Sequence, residues 1–277
     1  YKSLGSRYAV LGLPIIRGVV NFGESLYIGL KTLSYSSSFY EEEDYEPGKV
    51  EQFFTKIFGD KLESVLMGIT MVISVILALG IFMVLPFFLT NLMKGFLPSY
   101  SIRTLIEGII RVALFLIYIW LISKMEDIKR VFMYHGAEHK CINCVEHGLP
   151  LTVDNVLASS RLHKRCGTSF LFLVMLVSIF LHFIFVLVPF YWVRLFGRLL
   201  MVPVVAGISF EIIQWAGRSD SKLADFFSKP GLAMQKLTTK EPTADMAEVA
   251  IRAVEAVFDW KTYLKETFPD QYPEGSL

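Results

Sequence analysis

The chain has 277 residues, of which 53% are hydrophobic and 19% charged, and its net charge is +1. With a mean hydropathy of +0.49, it has too little polar material to cover a soluble globule, and its long uncharged runs indicate a membrane protein. The small net charge gives no reason to expect nucleic acid as a partner.

The N-terminal region, residues 1–40, contains an apolar segment from Leu13 to Leu33 that is interrupted by polar residues at helical intervals. This pattern predicts an amphipathic helix that either lies along the membrane surface or forms a short re-entrant element packed on the bundle. The next region, residues 41–64, begins with EEEDYEP at 41–47. We interpret it as an acidic linker in contact with solvent.

Four apolar runs predict four transmembrane helices, two within residues 65–123 and two within residues 167–217. Each is long enough to cross a hydrocarbon core of about 30 Å. Pro86 is expected to kink or end the first helix. The second run contains Glu107 and Arg111, which lie four residues apart and can neutralise one another. The predicted spans are Val65–Leu89, Thr104–Ser123, Gly167–Val193 and Leu199–Gly217.

The distribution of lysine and arginine predicts the orientation. If both termini and the loop 124–166 are cytoplasmic, 22 basic residues lie on that side and four on the other. This asymmetry follows the positive-inside rule. Cytoplasmic thiols are normally reduced, so a disulfide between Cys141 and Cys144 is not expected.

The C-terminal tail, residues 218–277, contains a predicted cytoplasmic amphipathic helix with Thr243 as its N-cap. Its apolar face should dock on the protein itself or, alternatively, on a partner or a second copy. That face is expected to consist of Met246, Val249, Ala253, Val257 and Phe258, opposite Asp245, Glu248, Arg252, Glu255 and Asp259.

The segment YHGAEHKCINCVEHG at 134–148 is the strongest sign of chemistry. His135, Glu138 and His139 match the H-x-x-E-H pattern of inverzincins. On a helix the two imidazoles project from one face one turn apart, so that they can reach a single cation. Glu138 is placed to accept a proton from water that this cation activates, as a hydrolase requires at neutral pH.

A third protein ligand must come from elsewhere. Four of the five histidines and all three cysteines lie between His135 and Cys166. Two histidines with a cysteine or a carboxylate suit zinc and leave one position open. Cys166 stands at a predicted helix start, which favours a thiolate, so it could also be a nucleophile or simply a small buried residue. The candidates for the third ligand are His163, Cys166, Cys144 and Glu146.

Cys166 lies at the predicted membrane boundary, whereas a straight second span would carry His135 roughly 18 Å beyond it. The two residues can share a site only if the chain bends around residues 124–130 or the third span extends into the cytoplasm.

Two other features compete with the metal hypothesis. Cys141 and Cys144 have C-x-x-C spacing, but no thioredoxin-like strand pattern precedes them, so redox chemistry is disfavoured. Glu211 lies within the fourth predicted span, where an ionisable residue usually has a functional role or a charged partner. It could be the ion site of a transporter, although the spans show no inverted repeat.

The segments YHGAEHK at 134–140, SRLHKRCGTSFLFLVM at 160–175, PVVAGISFEII at 203–213 and KLTTKEP at 236–242 resemble the YqhQ-like family. So does SLGSRYAVLGLPIIRGVVNFGESL at the start. These are bacterial polytopic membrane proteins of unknown function, often described as candidate metal-dependent enzymes, and the resemblance implies the bacterial cytoplasmic membrane. It also implies that the pattern includes His135, Glu138, His139, His163, Cys166 and Glu211, but neither Cys141 nor Cys144.

Members of this family usually begin with a glycine-rich segment containing a GGQAVIEGVMMR-like stretch. The chain starts at Tyr1 without it. We therefore expect the natural N-terminus to lie upstream and the site to lack any ligand that this segment supplies.

Two functions follow as hypotheses. The first is a zinc-dependent hydrolase at the cytoplasmic face of the membrane, with Glu138 as general base. The second is a non-catalytic assembly or quality-control factor for membrane proteins, in which the same cluster is a structural metal site or a hydrogen-bonded polar core.

Overall fold

The computed structural model describes residues 4, 9–37, 39, 62–219 and 221–273. These residues form helices joined by short turns, and they include no β-strand. Most of the predicted acidic linker, residues 41–61, lies outside the described ranges. The helices are α1 (Ile16–Ser37), α2 (Leu62–Leu79), α3 (Leu85–Leu92), α4 (Tyr100–Ile122), α5 (Glu126–Glu146), α6 (Val153–Ala158), α7 (Gly167–His182), α8 (Tyr191–Leu200), α9 (Val202–Arg218), α10 (Lys222–Thr238), α11 (Ala244–Glu255) and α12 (Trp260–Thr267).

Within these ranges, three helical segments are long and apolar enough to cross a membrane: Val65–Gly95, Tyr100–Ile122 and Gly167–Leu187. The pair α8 and α9, bent by 43° at a short break, adds a fourth if it forms one span. The expected all-α architecture with about four membrane helices is therefore confirmed. The length and composition of these helices suit a multi-pass membrane protein.

Of the two predicted effects of Pro86, a kink or an end of the helix, the end does not occur, because the first span continues past Pro86 to Gly95. A π-helical turn, Gly80–Val84, separates α2 from α3, and Pro86 lies in the first turn of α3. Proline lacks a backbone N–H, and the first turn is where a helix does not need one. The irregular turn lets the span continue to Gly95.

The third span is shorter than predicted. It ends at Leu187, and Pro189 follows in a non-helical stretch before α8 begins. Arg194 and Arg198 fall between the predicted spans Gly167–Val193 and Leu199–Gly217, where a turn is expected. Both instead lie in helix α8, where Arg198 is only 1% exposed. The charge of Arg198 favoured a loop in the sequence analysis, because the sequence alone does not show that a buried carboxylate is available to pair with it.

The chain divides into two compact units. The first comprises Tyr1–Arg111 and Ser178–Ile208. In it the N-terminal helix α1 packs closely on the start of α9, since a Cβ added to Gly18 would lie 2.5 Å from the carbonyl oxygen of Gly207. Such a contact requires glycine, and it favours a packed element over a helix that only rests on the membrane surface.

The first unit also buries an ion-pair network. Arg111 Nη2 lies 3.0 Å from Glu107 Oε1, as the spacing predicted. Arg111 also donates to the hydroxyl of Ser178 at 2.7 Å and to the carbonyl oxygen of Phe82 at 2.9 Å. Arg198, which sequence reasoning missed, pairs with the second oxygen of Glu107. One carboxylate thus serves two buried guanidinium groups.

The second unit comprises Val112–Val177 and Ser209–Leu277. Its apolar core joins α5, α6, α11 and α12 through residues that include Cys144, Val156, Ala247 and Leu264, each fully buried. The predicted C-terminal amphipathic helix is α11, and it docks on its own chain.

The buried face of α11 is rotated relative to the predicted apolar face, and the two share only Met246. Its buried residues are Met246, Ala247 and Ile251, whereas Val249 is 52% exposed and Val257 is 86% exposed. Ala253 and Phe258, also assigned to that face, are exposed as well. Ala247, with its small side chain, is fully buried and belongs to the apolar core. Thr243 occupies the N-cap position, although its side chain does not cap the helix.

Candidate metal centre

Helix α5 brings the two histidines of the H-x-x-E-H segment together. Helix α4 ends at Ile122, residues 123–125 form a turn, and helix α5 starts at Glu126. This turn lies at the start of the region where a bend was required. Glu126 and Asp127 stabilise the start of α5 because carboxylates favour the positive end of the helix dipole. One turn apart on this helix, the rings of His135 and His139 have centroids 4.4 Å apart.

Cys166 is the third member of the group. It directly precedes Gly167, the first residue of α7, and its Sγ lies 3.3 Å from His135 Nε2. Potential ligand atoms of His135, His139 and Cys166 all lie within 4.8 Å of one another, close enough to share one cation. His139 and Cys166 are buried, at 3% and 5% exposure, and His135 is half-buried.

Two backbone carbonyls orient the imidazoles. His135 Nδ1 donates to the carbonyl oxygen of Thr238 at 3.0 Å, and His139 Nδ1 donates to that of Arg161 at 2.7 Å. A carbonyl oxygen only accepts, so each Nδ1 must carry the proton. Nε2 is the remaining ring nitrogen of each histidine. It donates to Cys166 only while it carries a proton, and it can bind a metal once that proton is lost, which is the arrangement that metal-ligating histidines usually show.

The surroundings of Cys166 favour its thiolate form. Burial alone would raise the pKa of the Cys166 thiol, but hydrogen bonds from His135, His139 and Thr168 outweigh it and lower the pKa to about 5. For His135, burial opposes the charged form, yet the hydrogen bond to Cys166 leaves the pKa of this imidazole raised. At neutral pH Cys166 is thus in the form that binds metals and acts as a nucleophile.

Polar side chains of α5 hold the segment that leads to Cys166. Lys140, 4% exposed, donates to the carbonyl oxygens of Leu157 and Ser159, each at 2.8 Å. Asn143 donates to those of Ser160 and Leu162 at 2.7 and 3.0 Å. These bonds fix residues 157–162 beside α5, and with them the Arg161 carbonyl that orients His139.

Gln235 of α10 holds the next part of this segment. Its Oε1 accepts from the backbone N–H of His163 at 2.9 Å, and its Nε2 donates to the carbonyl oxygen of His163 at 2.6 Å. The same Nε2 lies 2.7 Å from the hydroxyl of Ser169. Gln235 is fully buried, so these bonds are shielded from water and fix the backbone three residues before Cys166.

Gly136, between the histidines, is a packing residue. A Cβ at this position would collide with the carbonyl oxygen of Lys240, and the N–H of Lys240 donates to the carbonyl oxygen of Phe132 at 2.9 Å. The absence of a side chain lets residues 238–240 lie against α5, where the carbonyl oxygen of Thr238 can accept a hydrogen bond from His135.

His163 lies next to the group rather than inside it. Its ring centroid is 5.9 Å from that of His139, and its Nε2 lies 3.1 Å from Glu146 Oε2. Glu146 also pairs with Arg165. Neither His163 nor Glu146 belongs to the group with ligand atoms within 4.8 Å, so their predicted roles as ligands stay predictions.

Cys141 and Cys144 are core residues. Both are fully buried and free, and burial raises the pKa of both thiols, to about 12 for Cys141. Cys144 Sγ faces the carbonyl oxygens of Leu149 and Pro150. Neither thiol is in the thiolate form at neutral pH that redox chemistry requires.

The two predicted acidic residues lie apart from the group of ligand atoms. The side chain of Glu138 is exposed on α5, and its charge contributes to the raised pKa of His135. Glu211 is half-buried in α9. Their roles as general base and as intramembrane functional residue stay predictions.

The donor set fits a zinc-like ion. Two imidazole nitrogens and one thiolate are ligands that Zn²⁺ accepts, and three protein ligands leave one position open. Sequence reasoning found these three residues but missed the residues that position them: Thr238, Arg161, Lys140, Asn143, Gln235 and Gly136.

Comparison with known proteins places the chain in a family. The chain is similar to a protein of Bacillus subtilis (strain 168) described as "Uncharacterized protein YqhQ", with 38% identity over 242 residues, which cover 87% of this chain and 76% of that protein. No solved structure shows significant similarity. A family profile described as "Protein of unknown function (DUF1385)" matches residues 13–260. With nearly its whole length matched, including the candidate metal centre, the chain belongs to the DUF1385 family, whose function is unknown.

Proposed function

We propose that the protein is a membrane-bound, metal-dependent hydrolase whose centre holds a divalent cation of the zinc type through His135, His139 and Cys166. The observation that carries the proposal is the orientation of the ligands: two backbone carbonyls fix both Nδ1 protons, so both Nε2 atoms are available beside the Cys166 thiolate. A hydrogen-bonded polar core does not require this arrangement, whereas a metal site does.

When bound, such a cation supplies Lewis acidity and generates a nucleophile from water near neutral pH. The residues of the chain set the conditions for this chemistry. His135 and His139 supply neutral nitrogen donors. Cys166 supplies one negative charge, and the half-buried position of His135 leaves a route to solvent.

Glu138 is proposed as the general base. It is exposed, and it lies one residue before His139 on α5. A carboxylate that is free to accept a proton from water needs access to solvent, and general bases typically contribute about 10²–10⁴ in rate. We propose a peptide, a lipid head group or a small metabolite as the substrate class.

The distribution of basic residues supports a cytoplasmic location for the centre. We propose that the protein resides in the bacterial cytoplasmic membrane, with both termini and residues 124–166 on the cytoplasmic side. Cys166 precedes the membrane-crossing segment Gly167–Leu187 directly, so the centre would lie at the membrane surface.

A Glu138→Gln variant tests the catalytic part of this proposal. We expect the purified variant to retain its metal, because Glu138 is outside the ligand group, while a strain that carries it as the only copy behaves like a deletion strain. Glu248→Gln, which removes another exposed carboxylate, is the matched control. Full function with Glu138→Gln contradicts a hydrolase of this kind.

The burial of His139 and Cys166 favours one alternative, a structural metal site in a non-catalytic assembly or quality-control factor. Structural zinc sites usually have four protein ligands, so this alternative requires a fourth ligand from the chain, whereas catalytic sites keep a position open. In that case Glu138→Gln retains both metal and function, and a membrane-protein partner co-purifies in stoichiometric amount.

A further inference from the structure

The first unit contains a cluster of buried arginine residues that carries more positive than negative charge. Residues 65–111 and 178–208 hold five basic residues and a single acidic one, Glu107. Three of the arginines are buried: Arg103 is 8% exposed, Arg111 5% and Arg198 1%. Charged groups in a membrane segment are costly unless paired, so this excess of positive charge requires an explanation.

Glu107 does not supply the missing charge for all three. Its Oε1 accepts from Arg111 and its Oε2 from Arg198, so both oxygens are engaged. Arg198 also donates to the hydroxyl of Tyr100 at 3.0 Å. Arg103 therefore stands outside this network.

The guanidinium of Arg103 has donors to spare. Its Nε and Nη1 are buried and have no hydrogen-bond partner among the residues that the structure describes. The ring of Tyr100 lies 5.4 Å from its Cζ. Arginine keeps its charge in proteins, so it cannot relieve this burial by losing a proton.

Arg103 lines an open recess of about 200 Å³, a volume that includes the space at its mouth. The hydroxyls of Thr90 and Thr104 face this recess but bond to carbonyl oxygens of their own helices. Outside this lining, the Cζ of Arg194 lies 4.3 Å from the ring centroid of Tyr100, and its buried Nε bonds to none of the residues that the structure describes. Two guanidinium groups that have donors without partners among the described residues thus lie near one aromatic ring. The other lining residues are Phe87, Asn91, Tyr100 and Glu107.

The site lies near one end of the membrane-crossing segment. Arg103 is three residues from the start of α4, roughly 4.5 Å along the helix axis. Tyr100, Tyr191 and Trp192 lie in the first turns of α4 and α8, and such aromatic residues concentrate at the level of lipid head groups.

We propose that Arg103 binds a phosphate-type oxyanion at this recess, supplied either by the head group of an anionic phospholipid or as free phosphate, and that Arg194, on the same tyrosine ring, adds to the positive charge nearby. The planar fork of arginine matches the oxygens of a phosphate group and can donate to two of them at once. The bound anion compensates the positive charge that Glu107 leaves unpaired. This site is independent of the metal centre.

Binding of defined ligands to the purified full chain tests the proposal. Native mass spectrometry compares phosphatidylglycerol with phosphatidylcholine, and thermal unfolding is followed with and without inorganic phosphate. The variant is Arg103→Gln. Lys94→Gln is the matched control, because it removes the same charge from an exposed position shortly before α4. This control separates the recess from general attraction between anionic lipids and basic surfaces.

We expect wild type and Lys94→Gln to retain phosphatidylglycerol in preference to phosphatidylcholine. Arg103→Gln should bind phosphatidylglycerol at least about tenfold more weakly than wild type. If inorganic phosphate stabilises wild type but not Arg103→Gln, free phosphate is a ligand of the recess. If wild type responds to phosphatidylglycerol but not to inorganic phosphate, the ligand is the lipid head group. Equal binding of phosphatidylglycerol by Arg103→Gln and Lys94→Gln overturns the proposal.

Wild type alone provides a second criterion if Arg103→Gln fails to fold. No preference for phosphatidylglycerol together with no effect of phosphate overturns the proposal. Without any anion, Arg103→Gln should unfold at the same temperature as wild type or higher, because the substitution removes an unpaired buried charge. A large loss of stability there would assign Arg103 a structural role instead.

Discussion

Gly136→Ala separates the packing role of this glycine from its helix propensity. Gly136 lies inside α5, where alanine is favoured by about 1 kcal/mol on propensity alone. The added Cβ, however, collides with the carbonyl oxygen of Lys240. That atom belongs to the backbone, so it cannot move aside as a flexible side chain would, and the whole segment 238–240 must shift.

The magnitude follows from what the shift disrupts. Overpacking of this kind costs about 1–3 kcal/mol. Loss of the hydrogen bonds from His135 to Thr238 and from Lys240 to Phe132 adds about 1 kcal/mol each. After the helix gain of about 1 kcal/mol is subtracted, the variant should be less stable by about 2–4 kcal/mol. For a chain of this size the unfolding midpoint should fall by roughly 5–15 °C.

Thermal unfolding of the detergent-purified protein measures this effect, and Gly29→Ala is the matched control. Gly29 lies inside α1, and a Cβ there meets nothing within 4 Å. The control should show unchanged or raised stability. Metal affinity of Gly136→Ala should also fall, by about tenfold, because His135 loses the acceptor that orients it. A midpoint for Gly136→Ala that rises as in the control refutes the packing argument.

Three further outcomes are expected. The ultraviolet absorbance of the Cys166 thiolate, measured on metal-free protein against Cys166→Ser, should titrate near pH 5 rather than 9.0, and His135→Gln should move this midpoint upward. The folded-state pKa is depressed, so the contribution of this group to stability falls as the pH falls from 9.0 and is lost below about 5; a midpoint near 9.0 argues against the contact. Gln235→Leu should destabilise the protein by about 2–6 kcal/mol, since two buried backbone groups of His163 lose their partners; a loss below about 1 kcal/mol in thermal unfolding would contradict this estimate. Glu107→Gln should cost about 3–5 kcal/mol by the same measurement, because it leaves two buried arginines without a counter-charge, and unchanged stability would be the contrary result.

The sequence predicted the ligands better than their supports. His135 and His139 are recognisable because their spacing is that of one helical turn, and Cys166 because it stands at a helix start near them. Thr238 and Arg161 act through backbone carbonyls, which every residue possesses, so no residue type marks them. Thr238 is also 103 positions from His135. Only the folded chain shows that these atoms meet.

The membrane segments show the same limit. Uncharged runs locate the spans because the hydrocarbon core imposes a minimum length. The interior of the first unit was not predictable from such runs: Arg198 looked like a loop residue, yet it is buried against Glu107. Similarly, the buried face of α11 includes Ala247, whose small side chain gives little hydrophobic signal. Pairing and packing of this kind depend on long-range contacts, which residue periodicity does not record.

Elemental analysis of the full chain, purified without chelators, tests the metal centre most directly. Wild type should contain about one equivalent of zinc, iron or manganese, and so should His147→Gln, which alters an exposed histidine outside the group. His139→Gln and Cys166→Ser should each contain less than about a tenth of an equivalent, because each removes one of three ligands. Wild type with less than a tenth of an equivalent, or ligand variants that retain the metal in full, would contradict the assignment.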